Sequence, residues 1–257
     1  MLAFAAARQD MSVHPSVLRG FGSAAVSYEQ ARPDYPGAAV GWLAEQLGLE
    51  PGATVVDLAA GTGKLTRMLV TTGATVVAVE PVDQMRAQLE RAVPGARALA
   101  GFAERMPLPD GSADAVTVAQ AFHWFSRDEA LDEIARVLRQ GGGLGLIWNT
   151  RDQADDLQRQ ISELIEPMRG DEQTHVGEGW REIVEAHPQF GPLEERRFTH
   201  EQVLDTDGLV ERVRSVSFVA VLPPSEQEDL LARVRELAGP GPMRLPYVTK
   251  AYVTTLL

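Results

Sequence analysis

Cysteine is absent from the 257 residues. Its absence excludes disulfides, thiolate metal sites and a cysteine nucleophile. Aromatic residues make up only 6% of the chain, and no apolar run is long enough to span a membrane. The apolar stretch over residues 1–7 is too short for a signal peptide and lacks a basic region before it. We therefore expect a cytoplasmic protein.

Positive charge is also scarce, because the chain has 24 basic residues and 36 acidic ones, which gives a net charge of −12. An acidic surface disfavours nucleic acid or an anionic membrane as the main partner. A small molecule remains as the expected partner, with the chain as a monomer or homodimer. Lysine is rare beside alanine, arginine, glycine and valine, which favours a bacterial source with a GC-rich genome. The hydrophobic share of 44% is enough for one large α/β domain.

Apolar runs that suit strands alternate with segments of helical periodicity from residue 54 to residue 148. Continuous apolar runs are typical of a parallel sheet that is buried on both faces. Short turns and helical crossovers imply right-handed βαβ units. The predicted strands cover 54–58, 75–80, 96–101, 113–120 and 143–148, and the helices between them cover 64–70, 82–92 and 127–138.

Segments on both sides of this alternating part complete the predicted fold. Helical periodicity before it predicts helices over 22–32 and 38–48. The pattern after it is looser, and two late strands suit the edge of the sheet. The predicted late helices cover 154–168, 207–215 and 224–238, and the predicted late strands cover 193–198 and 247–254.

The segment over residues 55–66 reads as a strand, a glycine turn and a helix, and this arrangement is typical of nucleotide-type ligands. A phosphate-binding Walker loop is excluded, since Leu58 replaces its first glycine and Leu65 follows the lysine. A dinucleotide fingerprint matches only in part, because Thr66 stands at its third glycine. The acid at the strand's end, Asp57, would repel a pyrophosphate, whereas it suits a sulfonium and an ammonium group.

A second acid, Glu80, ends the next predicted strand, 23 residues after Asp57. At that place a carboxylate can accept hydrogen bonds from both hydroxyls of a ribose. The same role would suit a nicotinamide dinucleotide, so Glu80 does not separate the two cofactor classes. The alternative is a solvated acid that is favourable beside a helix N-terminus.

Five segments in order resemble the class I S-adenosylmethionine-dependent methyltransferases, in particular the trans-aconitate methyltransferase-like branch of small-molecule enzymes. They are the Y-E-Q-A-R-P-D-Y-P segment at 28–36, the D-L-A-A-G-T-G turn at 57–63, Glu80, the A-E-R-M-P segment at 103–107 and the Q-A-F-H-W segment at 120–124. The resemblance implies a Rossmann-like α/β fold. Its sheet has seven mostly parallel strands in the order 3-2-1-4-5-7-6, with helices on both faces.

The resemblance also implies a site for S-adenosyl-L-methionine, with S-adenosyl-L-homocysteine as the product. Phe102 stands where the family usually has an aspartate, so the usual acceptor for the adenine amino group is missing. No metal site is expected, because the histidines show no ligand spacing. The residues implied for cofactor binding are Tyr28, Arg32, Asp57, Ala59, Gly61, Thr62, Gly63, Glu80, Pro81, Met85, Phe102, Ala103, Glu104, Gln120 and Ala121.

His123 follows the predicted fourth strand at the methyl-donor end and is the candidate catalytic base, because its ordinary pKa lies near neutrality. The alternative is a histidine that packs or orients beside Trp124. Trp148, Asn149 and Arg151 end the fifth strand and are candidates to line the acceptor pocket.

The predicted function is methyl transfer from S-adenosylmethionine to a small-molecule acceptor at oxygen, nitrogen or carbon. We expect residues 1–21 to be a disordered extension and 22–257 to be one domain. Within it, 22–150 bind the cofactor and 151–257 shape the acceptor site. Two alternatives remain: an NAD(P)-dependent oxidoreductase, which Asp57 and Thr66 disfavour, and a non-catalytic domain that binds S-adenosylmethionine, because fold does not determine function.

Overall fold

The computed structural model describes residues 31–125, 127–170 and 179–257, and nothing is described of the Arg127 side chain. The predicted extension over 1–21, Tyr28 and nearly all of the predicted helix over 22–32 lie outside these ranges. Within these ranges, no helix is both long enough and apolar enough to cross a membrane.

A seven-stranded sheet forms the centre of the molecule, in the order β3-β2-β1-β4-β5-β7-β6. Neighbouring strands from β3 to β5 are parallel, and β7 is antiparallel to both β5 and β6. This confirms the predicted Rossmann-like fold and its strand order. The strands are β1 (Thr54–Leu58), β2 (Thr75–Val79), β3 (Arg97–Leu99), β4 (Ala113–Ala119), β5 (Leu138–Arg151), β6 (Glu194–Leu204) and β7 (Met243–Thr255).

Helices cover both faces of the sheet, because side chains along each central strand point alternately to opposite faces. In β1, Val55 joins the apolar cluster of one face, whereas Val56 and Leu58 join that of the other. The helices are α1 (Gly37–Gln46), α2 (Lys64–Val70), α3 (Asp83–Ala92), α4 (Arg127–Val137), α5 (Asp156–Ile165), α6 (Gly179–Ala186), α7 (Thr206–Arg214), α8 (Ser217–Ala220) and α9 (Pro224–Leu237). Short 3-10 helices cover Phe122–Trp124 and Glu166–Met168.

A third apolar cluster joins the late helices α5, α7, α8 and α9 to the first residues of β7. Tyr247 of β7 belongs to this cluster and pairs with Arg151, the last residue of β5. The cluster therefore lies beyond the carboxyl end of β5. Ligands of open α/β sheets bind at that end of the strands.

The sequence predictions for the late strands were too short. The strands β5, β6 and β7 extend well beyond 143–148, 193–198 and 247–254. Most of β6 is exposed or half-buried, because it is an edge strand, and its polar residues interrupt the apolar run by which a strand is recognised. The strand β3 is shorter than predicted, and the helix α6 (Gly179–Ala186) was not predicted at all.

Candidate functional site

The loop between β1 and α2 is a tight turn with little side-chain bulk. Ala59, Gly61 and Gly63 all have positive φ values, of 54°, 58° and 91°. A Cβ atom on Gly63 would lie 3.0 Å from Cγ of Leu89 and 3.1 Å from Cγ2 of Val93. Gly63 therefore serves both the turn and the close packing of this loop on α3.

Glu80 holds this loop to the end of β2. Its Oε2 accepts a hydrogen bond from the backbone N–H of Gly61 at 2.9 Å, and its Oε1 accepts one from the N–H of Val82 at 2.8 Å. The side chain is buried, and burial raises its pKa although both hydrogen bonds act to lower it. Each carboxylate oxygen has a second lone pair, so Glu80 can still accept from a ligand hydroxyl.

Asp57 lies beneath the loop and is fully buried. Its carboxylate accepts hydrogen bonds from Oγ1 of Thr66 at 2.6 Å and from Oγ1 of Thr117 at 3.3 Å. Burial raises the pKa of Asp57 to about 7, with the two hydroxyl donors opposing the rise and the charge of Glu80 adding to it. Thr66, the residue at the third glycine position, thus ties α2 to β1 through this buried acid.

A cleft opens where the β1–α2 loop meets the end of β4, at the point where the strand order reverses. Ala59 and Gln120 flank it, and they are the two residues other than glycine with positive φ within the described ranges. Strain of this kind concentrates at functional sites. The cleft is lined by Arg32, Pro33, Tyr35, Ala59, Ala60, Gly61, Thr62, Lys64, Leu65, Ala119, Gln120, Asn149 and Arg212.

Five of the residues implied for cofactor binding line this cleft: Arg32, Ala59, Gly61, Thr62 and Gln120. The other described residues implied for cofactor binding lie near the cleft but do not line it. Gly63, Glu80 and Asp57 support the loop, and Met85 of α3 is buried, with its Sδ 3.9 Å from where a Cβ of Gly61 would lie. Pro81 follows Glu80 directly.

The remaining predicted residues lie in loops after β3 and β4. Phe102 and Arg105 form a short antiparallel bridge, so the segment around Ala103 and Glu104 is a tight loop. Phe102 is half-buried and Ala103 is buried. Ala121 packs against the core cluster beneath β4.

The candidate catalytic residue, His123, sits on the 3-10 helix Phe122–Trp124 that follows β4. Its ring is only 6% exposed and lies 4.8 Å from the ring of Trp124, centroid to centroid. His123 is not among the residues that line the cleft.

The end of β5 contributes to the cleft through Asn149. Its Nδ2 donates to the carbonyl of Asp34 at 3.1 Å, and its Oδ1 accepts from Oγ1 of Thr249 at 2.6 Å. Trp148 points to the opposite face of the sheet, where it is buried against Trp180. Asn149 therefore lines the cleft, whereas its neighbour Trp148 packs in the core on the other face, because side chains alternate along a strand.

Sequence reasoning missed Lys64 and Arg212 of the cleft lining. Lys64 forms an ion pair with Asp34 at 2.8 Å. Arg212 comes from α7, where it is 7% exposed. An arginine among the apolar residues of an amphipathic helix was the one signal that could have singled it out.

Within residues 31–125, 127–170 and 179–257, no three histidine, aspartate or glutamate side chains are placed to hold one ion.

Comparison with known proteins agrees with this geometry. Residues 56–146 match the model of a methyltransferase domain family. An uncharacterised methyltransferase of Mycobacterium tuberculosis is 40% identical over 97% of this chain and 98% of its own length. An uncharacterised methyltransferase-like protein of Schizosaccharomyces pombe is 34% identical over 91% of this chain and 94% of its own. The structure of a putative type II methyltransferase from Anaeromyxobacter dehalogenans superposes with a TM-score of 0.64 at 26% identity, covering 87% of this chain and 97% of that one.

The fold and the cleft at the strand switch define a class I α/β methyltransferase. With relatives that match along nearly its whole length, the chain belongs to the class I S-adenosylmethionine-dependent methyltransferases.

Proposed function

We propose that this chain transfers a methyl group from S-adenosylmethionine to a small-molecule acceptor, and that the cofactor binds in the cleft between β1 and β4. One observation carries the proposal: the Gly61 loop, held by Glu80, meets Gln120, the residue after β4, around an open cleft. Ala59, Ala60 and Gly61 bring backbone and small side chains to the cleft lining, as close approach of a nucleoside requires.

The residues present fit the cofactor. Glu80 is buried at the end of β2 with acceptor capacity for ribose hydroxyls. Arg32 lines the cleft, and a guanidinium there can pair with the cofactor's carboxylate, which supports the proposal. The remaining proposed contacts come from Asp57, Ala59, Thr62, Gly63, Pro81, Met85, Phe102, Ala103, Glu104 and Ala121, and from Tyr28 outside the described residues.

When bound, S-adenosylmethionine supplies a methyl group on a positively charged sulfur, which is a good electrophile. A lone pair of the acceptor forms a bond to the methyl carbon as the carbon–sulfur bond breaks, and the electron pair of that bond stays on sulfur. Any proton on the acceptor leaves to a base or to solvent. The protein's part is to hold the acceptor in line and to exclude water.

His123 is the proposed residue for proton removal or for orienting the acceptor. Its place directly after β4 supports a role at the methyl-donor end. Its burial beside Trp124 supports the orienting role more than direct proton transfer. A base is not needed if the acceptor ionises by itself, as a carboxylate does.

Matched glycine variants test the cofactor site. Gly61 has a φ of +58°, so Gly61→Ala strains the loop, whereas a Cβ atom added to Gly41 on α1 would have nothing within 4 Å. In the free variant the loop relaxes to relieve strain of about 1–2 kcal/mol, and binding has to restore the strained conformation, so Gly61→Ala should lose roughly 5- to 30-fold in S-adenosylhomocysteine affinity. Gly41→Ala should bind as wild type does. Equal affinity in all three proteins would place the cofactor elsewhere.

The methyl-transfer claim needs its own measurement. Methyl-labelled S-adenosylmethionine should pass label to a compound in a fractionated pool of small metabolites, in the presence of wild-type protein. Binding of the cofactor without label in any fraction would favour the non-catalytic alternative.

A further inference from the structure

Four arginines gather beyond the carboxyl end of β5, in a chain whose net charge is −12. Arg151 ends β5, and its neighbours are Arg212 of α7, Arg32 and Arg169. Burial lowers the pKa of the Arg151 guanidinium to about 9, and the charges of Arg212, Arg32 and Arg169 add to the fall, against an opposing effect of Tyr247. Arginine side chains carry a positive charge at neutral pH, so four of them together make this region strongly positive.

Arg212 joins this cluster to the cleft. Its Nε donates to the hydroxyl of Tyr247 at 3.2 Å. One terminal nitrogen of its guanidinium is buried, and no hydrogen-bond acceptor is placed against it in the described part of the chain. A buried donor without an acceptor is costly, and Arg212 lines the cleft, so a ligand in the cleft can supply that acceptor.

Carboxylates of the protein do not neutralise Arg151 or Arg212, since neither forms an ion pair within residues 31–125, 127–170 and 179–257. The acids nearby are engaged with other cations: Glu166 pairs with Arg169 at 2.7 Å and Asp34 pairs with Lys64 at 2.8 Å. Buried cations that lack a partner are strongly destabilising.

The cofactor does not balance this charge either. S-adenosylmethionine carries a sulfonium, an ammonium and one carboxylate, so it brings a net positive charge into the cleft. Its carboxylate can pair with Arg32, whose guanidinium also donates to the carbonyl of Ser215 at 2.6 Å. The charges of Arg151 and Arg212 are then left for the second substrate.

We propose that the methyl acceptor carries an anionic group, a carboxylate or a phosphate, that binds to Arg212 and Arg151. This inference rests on the proposed function and adds the chemical class of the acceptor. A guanidinium presents two parallel donors that match either anion. Arg212 is then a residue that determines substrate specificity.

Tyr247, which accepts a hydrogen bond from Nε of Arg212, holds the arginine in one orientation. Tyr247 is 1% exposed, and its ring lies 5.6 Å from that of His200 in a stacked arrangement. Burial raises the pKa of the Tyr247 hydroxyl, but the positive charges of Arg212 and Arg151 lower it by more, so the pKa lies below its ordinary value. The Tyr247 hydroxyl accepts from Nε of Arg212, so the terminal nitrogens of the guanidinium are left for the ligand.

Binding of simple anions tests this proposal. Glutarate and glycerol phosphate serve as the carboxylate and phosphate probes, and glycerol is the neutral control. Each is titrated at constant ionic strength into wild-type protein, with and without saturating S-adenosylhomocysteine. We expect saturable binding of at least one anion and none of glycerol, and the better probe identifies the carboxylate or the phosphate class. Absence of saturable binding by both anions would overturn the proposal.

Matched variants locate the anion. Arg212→Met keeps an unbranched apolar stem and removes the guanidinium with its charge, and it should weaken anion binding at least tenfold, with Arg212→Lys in between. Arg151→Gln gives the same readout if Arg212→Met fails to fold. The control is Arg159→Met, since Arg159 is exposed on α5 and pairs with Asp156 and Glu163 on the same helix. Equal anion binding by Arg212→Met and Arg159→Met would overturn the proposal.

Cofactor affinity separates this proposal from the proposed function. Arg212→Met should bind S-adenosylhomocysteine within about threefold of wild type. A parallel loss of cofactor affinity would mean that Arg212 holds the cofactor's own carboxylate, which contradicts the proposal. If wild type binds the anions but not S-adenosylhomocysteine, the proposed function fails while the anion site stands.

Discussion

Replacement of Asp57 by asparagine should stabilise the protein at neutral pH. The side chain is fully buried, and burial raises its pKa from an ordinary 3.8 to about 7. The folded protein therefore holds a proton that the unfolded chain releases between these two values. Its free energy of unfolding falls as pH rises through this window, by at most about 4 kcal/mol, because a pKa change of one is worth about 1.4 kcal/mol.

Asparagine suits the same position without this penalty. Its amide oxygen can accept from Oγ1 of Thr66, now 2.6 Å from the carboxylate, and its amide N–H groups can donate to Oγ1 of Thr117. The advantage of the variant over wild type should therefore be small near pH 4 and should grow until about pH 7. Above that pH the difference should be constant.

Urea unfolding of both proteins between pH 4.5 and pH 8 measures this difference. Acids that do not interact with Asp57 titrate alike in the two proteins and cancel from the difference, whereas Glu80, whose charge raises the pKa of Asp57, adds a smaller change of its own. The control is Asp229→Asn, the same chemical change at an exposed carboxylate on α9 that forms no ion pair with the described residues, and its curve should run parallel to that of wild type. Parallel curves for Asp57→Asn and wild type would show that Asp57 is ionised in the fold throughout, and the reasoning from its burial would be wrong.

Three further predictions concern the cofactor and the reaction. Glu80→Ala should lose about 2–4 kcal/mol of S-adenosylhomocysteine affinity by calorimetry, because charge-assisted hydrogen bonds are lost, and Glu80→Asp should lose less; unchanged affinity would make Glu80 a structural acid alone. Methyl transfer should continue in EDTA, and activity that is lost there and restored by Mg²⁺ would contradict this. Replacement of His123 by Gln should leave cofactor affinity nearly unchanged and slow methyl transfer. If His123 is a general base, the rate should fall on the order of 10²–10⁴-fold and the acidic limb of the pH–rate profile should disappear; if it orients the acceptor, the rate should fall with the same profile. Full activity would exclude both roles.

The parts of the fold that follow from local pattern could be predicted from sequence. The strand, glycine turn and helix around Gly61 are contiguous, and the sheet order followed from the resemblance. The edge strand β6 was predicted too short, because exposure on an edge removes the apolar run that identifies a strand. The buried orientation of Asp57 depends on Thr117, which lies 60 residues away along the chain.

Contacts between distant segments explain what sequence reasoning missed at the site. Arg212 reaches the cleft because α7 packs with Tyr247 of β7 beyond the end of β5. The only sequence signal at Arg212 is its place among the apolar residues of an amphipathic helix, and this signal does not indicate a ligand. The cluster of positive charge forms only when the fold brings α7, which carries Arg212, beside Arg151 at the end of β5.

Calorimetry with S-adenosylhomocysteine and NADH tests the central claim most directly. A cleft that has a buried acid at the end of β1 and a glycine loop held by Glu80 should bind S-adenosylhomocysteine and should not bind NADH. Binding of NADH together with no binding of S-adenosylhomocysteine would contradict the account of this site as a methyl-donor site.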